Sequence, residues 1–390
     1  MSVDQDERTQ GAFRTVADLD VEAFSALCER EVDVDALPTA SEIVRKVPVY
    51  TAAALRAAAA TDRRAIMAEL NGCILDGPGA LAVRGVLDPA VVDAASAAYR
   101  ELIDEEAAAG RSAGDHFAAP GKNERLWNSF QKLAERAPST FVAYFANPVL
   151  DLVCESWLGP GYRMTAQVNV VHPGGDAQRP HRDYHLRFLS DDEAARYPLP
   201  MHRASALLTL QGAVAHSDMA VESGPTRLLP FSQCYDLGYL AYRDPAFEDY
   251  FTEHFVQLPL QRGDLLVFNP ALFHAAGDNR TADVVRTANL LQVSSAFGKP
   301  METIDTTGIT VRCFGDLQAL HRRGAEEELQ AALTMVADGY PFPGNLDSTP
   351  PTGGLAPPSQ RDVLRQALDE GWSLEQLSSA LATQQAARGA

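Results

Sequence analysis

The stretch HRDYH at residues 181–185 places three side chains able to bind a metal or move a proton, His181, Asp183 and His185, within five positions. On an extended strand, side chains two apart leave the same face, so His181 and Asp183 can offer an imidazole and a carboxylate to one ion. A His-x-Asp pair alone is equally well a surface ion pair, so the assignment needs a further ligand. His185 does not supply it from a strand, because four residues span about 13 Å and both imidazoles would have to come within about 2 Å of one ion. A protein-kinase catalytic loop also reads His-Arg-Asp, but it needs an asparagine five residues after its aspartate, and Phe188 stands there. No glycine-rich phosphate loop precedes it and no Asp-Phe-Gly follows.

The remaining donor is His274, in GDLLVFNPALFHAAGDNRTADVVRTANLLQ, where a strand over 264–269 runs into a turn at Pro270. Two histidines and one carboxylate with open positions form the ligand pattern of non-haem iron(II) oxygenases. An arginine on an adjacent strand can clamp a carboxylate co-substrate with two parallel hydrogen bonds. Arg286 and Arg280 both follow His274; Arg286 is preferred, because 286, 288, 290 and 292 share one strand face whereas Arg280 falls in the turn GDNRT.

The elements that must position these residues are of two kinds. Residues 47–70 and 88–110 are alanine-rich with apolar residues at three- and four-residue spacing, which predicts helices; Asp88, Pro89 and Gly110 mark the ends of the second. Between them, GCILDGPGALAVRGVL reads as a strand pair. From about 160 to 300, short runs rich in Val, Leu and Thr, punctuated by Gly, Pro and Asn, predict a sandwich or jelly roll. Beyond 300 the helical texture returns around the turn-rich YPFPGNLDSTPPTGGLAPP. The expected class is α+β, with a helical extension over 1–70, a jelly-roll core over 71–300 and a C-terminal helical extension over 301–390, forming one catalytic unit.

Composition limits the partners. With 33 Lys and Arg against 52 Asp and Glu, a net charge of −19 repels nucleic acid and anionic membranes. Five dispersed cysteines without a Cys-x-x-Cys pair suit a reducing compartment, and no apolar run nears the roughly 18 residues of a membrane span. The first residues, MSVDQDERTQ, lack an apolar leader core. The expectation is a soluble cytoplasmic protein acting on a small molecule, with its oligomeric state open.

PHRD at 180–183, ESGPTRLLPFSQ at 222–233, QRGDLLVFNPALFHAAGDNRT at 261–281 and RTANLLQ at 286–292 together resemble the phytanoyl-CoA dioxygenase family of Fe(II)- and 2-oxoglutarate-dependent oxygenases, over roughly residues 70–300. The resemblance implies a double-stranded β-helix core, with His181, Asp183 and His274 binding iron and Arg286 binding the far carboxylate of 2-oxoglutarate. It also implies Thr209 near that co-substrate, unless its hydroxyl is a core-facing one bonded to backbone, with O2 as oxidant, and succinate and CO2 as co-products. Related halogenases replace the carboxylate ligand by a small residue; Asp183 is retained, which favours hydroxylation of an unactivated C–H bond. The family's turn usually ends in histidine where Gln233 stands.

Gln167 and Asn169 share a strand face and are candidates to contact 2-oxoglutarate or substrate, or to satisfy buried backbone. The stretch 114–132, with His116, Asn123, Arg125, Trp127 and Asn128, reads either as a substrate lid or as a surface loop. His185 is a partner to a ligand, a pocket residue or a structural imidazole, and Tyr184 is expected to pack away from the metal. Arg125, Arg182 and Arg187 form a possible basic patch. Two other readings stay open: the same iron site used for desaturation, rearrangement or epimerisation, and a non-catalytic jelly-roll binding protein.

Overall fold

The computed structural model describes residues 11–110, 122–341, 344–348, 350–351 and 354–388. Strands β1 (Glu42–Val44), β2 (Val47–Thr51), β3 (Ala80–Arg84), β4 (Asn123–Leu126), β5 (Arg163–Val171), β6 (Thr209–Ala215), β8 (Leu265–Phe268) and β10 (Arg286–Ser294) make one sheet in the order β1-β2-β3-β8-β6-β10-β5-β4. Only the β2–β3 pairing is parallel. Facing it is a smaller layer built on β7 (Arg227–Leu228) and β9 (His274–Ala275), widened by the bridges His181–His274, Leu228–Val256 and Met219–Leu260.

The period of two along each strand sorts the side chains onto two faces. Val168, Val170, Leu210, Val214, Leu291 and Val293 join one core with the helices. Ala213, Ala215, Leu266, Phe268 and Ala288 face the smaller layer and pack on Leu228, Leu258, Leu260 and Leu272. On that second face β5, β6 and β10 also carry Gln167, Asn169, Gln211, Arg286 and Gln292, all buried. A polar stripe inside an apolar sandwich needs partners or a ligand, and it marks where the site lies.

The helix Pro89–Ala108 begins at Asp88, whose side chain accepts from Ala90 N, with Pro89 in the first turn. Two sequence expectations need correction. Residues 47–51 are strand β2, because Val-Pro-Val-Tyr-Thr precedes the alanine run and pairs with both neighbours, so the N-terminal segment contributes strands to the main sheet. The helix runs over Ala52–Leu75, with a break at Asp62, whose carboxylate caps the amides of Arg64 and Ala65. It absorbs Gly72–Leu75, since Leu70, Cys73 and Ile74 continue its buried face, and only β3 remains of the expected strand pair. The C-terminal helix Thr306–Arg322 buries Ile309, Phe314 and Leu317 in the same core as Phe141 and Phe145. Among the described residues, no helix is long and apolar enough to cross a membrane.

Behind the sheet, His216 is fully enclosed: Nδ1 lies 2.8 Å from Ser96 Oγ and Nε2 2.9 Å from Tyr144 OH. Burial lowers its pKa from 6.5 to about 3. Below pH 6.5 the unfolded chain therefore takes up a proton that the folded chain refuses, so this contribution is complete above pH 6.5 and lost as pH falls toward 3. Between pH 7.5 and 5.5 this group should lower stability by about 1.4 kcal/mol. Urea midpoints across that range should show the slope, and His216→Gln should flatten it.

Candidate functional site

His181 and His274 face each other across a backbone bridge, with His181 N to His274 O at 2.9 Å and the reverse bond at 3.0 Å. Their ring centroids are 4.5 Å apart. Asn269 shapes the turn that delivers His274: its side chain accepts from Ala271 N and its carbonyl from Leu272 N. Asp183 is fixed through its backbone, by its N–H to Pro270 O at 2.8 Å and its carbonyl to Tyr239 OH at 2.9 Å. The ligand atoms of His181, Asp183 and His274 all lie within 4.8 Å of one another, the one such group among the described residues.

The tautomers follow from the partners. Nδ1 of His181 donates to Arg179 O and Nδ1 of His274 to Leu272 O, both at 2.8 Å; a carbonyl only accepts, so each ring carries a hydrogen on Nδ1 and turns Nε2 toward Asp183. Burial lowers the His181 pKa to about 3, so its imidazole is neutral. Burial would raise Asp183, but the neighbouring imidazoles and Arg187 outweigh it and hold the carboxyl well below its usual range. Two imidazoles and one carboxylate, each imidazole oriented by an outer acceptor, fit a divalent first-row metal with coordination positions left over.

The cluster opens on a cavity of about 130 Å³ between the layers. Arg286 lines it and is 5% exposed. Its guanidinium donates only to the carbonyls of Ser223 and Gly277, both at 3.3 Å, with no carboxylate in ion-pair range among the described residues. Burial lowers its pKa to about 10, which leaves it charged at neutral pH. A buried cation with long, neutral contacts fits an incoming carboxylate. Arg280 is on the surface, 3.6 Å from Asp278 and 63% exposed, and does not line the cavity. A surface cleft of about 460 Å³ shares Gln178, His181 and Arg187 with the cavity and leads outward. A larger cleft of about 600 Å³ lies among the helices, far from these ligands, around Arg63, Asp151 and Arg361.

Of the other expected residues, Asn169 lines the cavity, opposite Arg125 in the β4–β5 register. Gln167 is buried beside it and accepts from Arg125 Nη1 at 3.0 Å. Thr209 is a correction: it lies at the far end of β6, opposite Ser294, with its hydroxyl on Ser205 O, and does not reach the cavity. Asn123 is buried on β4 outside the cavity lining. Trp127 lies under the Arg125 guanidinium, 5.1 Å from ring centroid to carbon, and Asn128 donates its N–H to Glu302 at 2.6 Å. His116 lies outside the described residues.

The chain around Asp183 is not an extended strand. Tyr184 and His185 have φ of 68° and 36°, and a 3-10 turn follows over His185–Phe188. His185 is left outside the metal cluster, with Nδ1 2.9 Å from Ser205 Oγ. Tyr184 does not pack away from the site; its hydroxyl donates to Gln292, a cavity residue. Arg182 is no part of a basic patch. It is fully buried against Tyr239 and Phe273 and donates to the carbonyls of Ser232 and Tyr235. Gln211 was missed, although it shares the face of Ala213 and stands directly opposite Gln292.

Comparison with known proteins decides the family. A family model described as phytanoyl-CoA dioxygenase (PhyH) matches residues 75–288, more than half of the chain, and takes in all three cluster residues and Arg286. The chain belongs to the phytanoyl-CoA dioxygenase family. That family is one of non-haem iron dioxygenases that use 2-oxoglutarate and O2. The dioxygenase andF of Emericella variicolor is 28% identical over 144 residues, 36% of this chain and 45% of that protein. The dioxygenase cdmD of Talaromyces verruculosus is 31% identical over 168 residues, 41% and 50%. The chain spans about half the length of these relatives. Among solved structures, the non-haem α-ketoglutarate-dependent carbocyclase SnoK from nogalamycin biosynthesis gives a TM-score of 0.44 at 20% identity, covering 58% of this chain and 83% of that one.

Proposed function

We propose that the protein is an Fe(II)- and 2-oxoglutarate-dependent dioxygenase that hydroxylates an unactivated C–H bond of a small-molecule metabolite, releasing succinate and CO2. The observation that carries this reading is the buried His181–Asp183–His274 cluster sharing one cavity with the carboxylate-free guanidinium of Arg286. The double-stranded β-helix is part of the proposal. In chain order, β5, β6, β8 and β10 fall in the large sheet, and the bridge at His181, the adjacent pair β7 and Val256, and β9 fall in the smaller layer between them, the order expected of such a fold.

In this reading His181, Asp183 and His274 hold the iron, and iron with 2-oxoglutarate and O2 supplies the oxidising power for the C–H bond. Arg286 anchors the far carboxylate of 2-oxoglutarate at the cavity floor, which fixes the length of co-substrate that reaches the histidines. Asn169, beside Arg286 on the same sheet face, and Arg125 on the next strand offer further polar groups to the cavity. Met219, Leu260, Phe268 and Leu290 keep the remainder of the cavity apolar and limit water. Substrate enters by the cleft at Gln178 and Arg187. The free cysteines fit a reducing, cytoplasmic setting.

The test is anaerobic addition of Fe(II) and 2-oxoglutarate, expected to give a weak visible charge-transfer band, followed by air, expected to give succinate. Metal-loaded protein showing neither would overturn the reading. Succinate release across fractionated metabolite pools would then identify the substrate.

A further inference from the structure

The two oxygens of Asp183 have different partners. Oδ2 faces the imidazoles, 3.5 Å from His274 Nε2 and 3.9 Å from His181 Nε2, and accepts from Gln211 Nε2 at 2.6 Å. Oδ1 is turned away and ion-paired with Arg187 Nη1. We propose that Arg187 and Gln211 are positioning residues that make Asp183 a one-oxygen ligand, presenting Oδ2 to the metal while Arg187 keeps Oδ1 from it. The proposal rests on the iron-site reading above.

Both partners are themselves held in place. An ionised carboxylate only accepts, so Gln211 must turn its nitrogen toward Asp183. Its second N–H donates to Gln292 Oε1 at 3.0 Å, and Tyr184 OH donates to the same oxygen. Flipping the Gln211 amide would therefore lose two hydrogen bonds at once. Gln211 and Gln292 are also opposite each other in the β6–β10 register, so the sheet sets their spacing.

Arg187 reaches Asp183 because the chain reverses at Tyr184 and His185, two non-glycine residues with left-handed φ. Such conformations persist where the surroundings enforce them. An extended chain would carry residue 187 about 13 Å from residue 183. The carbonyl of Arg187 is pinned by Tyr242 OH at 3.2 Å and Arg243 Nη2 at 2.9 Å. The consequence is coordination number: a carboxylate bound through both oxygens would fill a position that the co-substrates need.

Cobalt(II) alone is the probe, titrated into the full chain with affinity and d–d absorption as readouts. Arg187→Met should change the absorption, as Asp183 becomes free to bind through both oxygens, and Gln211→Met should weaken cobalt binding by about 10- to 100-fold as Oδ2 loses the donor that orients it. Arg187→Lys restores the charge and should recover part of the wild-type spectrum. Thermal unfolding without metal reads the fold separately, and Arg187, whose side chain is 23% exposed, keeps the test alive should Gln211→Met not fold. Wild-type affinity and spectrum in both Met variants would overturn the positioning roles and leave the iron site standing. Failure of the wild type to bind cobalt would overturn the iron site itself.

Discussion

Asp183→Ala should abolish 2-oxoglutarate turnover and weaken divalent-metal binding by more than the roughly 100-fold that loss of an outer partner costs. Three physical effects act together. The cluster loses its only carboxylate, two imidazoles remain, and Arg187 and Gln211 are left with donors facing an empty position. Asp183→Glu keeps the charge but moves the oxygens outward by one methylene, past the point that Gln211 defines, so it should retain metal and lose most turnover. Metal titration beside succinate release distinguishes the two variants. Full turnover by Asp183→Ala would remove the carboxylate from the mechanism.

Arg286→Ala should raise the 2-oxoglutarate concentration needed for half-maximal turnover by about 30-fold or more, the equivalent of about 2 kcal/mol for truncating one side of a buried charged pair. Arg286→Lys should fall between, since an ammonium replaces a fork of parallel donors by a point charge. Arg280→Ala should leave 2-oxoglutarate binding at the wild-type level, because that side chain is on the surface beside Asp278. Isothermal titration of 2-oxoglutarate into metal-loaded protein measures all three. Weakened binding in Arg280→Ala with an unaffected Arg286→Ala would reverse the assignment.

How much of this site is legible in the sequence depends on what holds each residue. Arg286, Ala288, Leu290 and Gln292 do line one face of β10, as a period of two requires, and all four border the cavity. The place of His274 after an Asn-Pro turn is equally local, since Asn269 builds that turn with its own side chain. The path of residues 184–188 is not legible: Tyr184 is not a residue type that announces a left-handed backbone, a histidine such as His185 does so only weakly, and tertiary contacts impose it. The extended geometry used to set His185 aside is therefore not the geometry present, and His185 is outside the cluster because the chain turns it toward Ser205. Thr209 has the right strand face but the wrong end, a matter of register between β6 and β10 that no local pattern encodes. Gln211 escaped notice for the same reason, since its importance comes from standing opposite Gln292.

Arg182, between the two ligands of its own segment, bears on how this centre could be moved to another protein. Its guanidinium occupies the space a Cβ at Gly238 would need, 1.9 Å from that position, and it is tethered to the carbonyls of Ser232 and Tyr235. A five-residue graft of HRDYH would carry the donor atoms but not the socket that orients them. Moving the centre takes at least three separate stretches, 181–188, 232–239 and the 269–274 turn that carries His274.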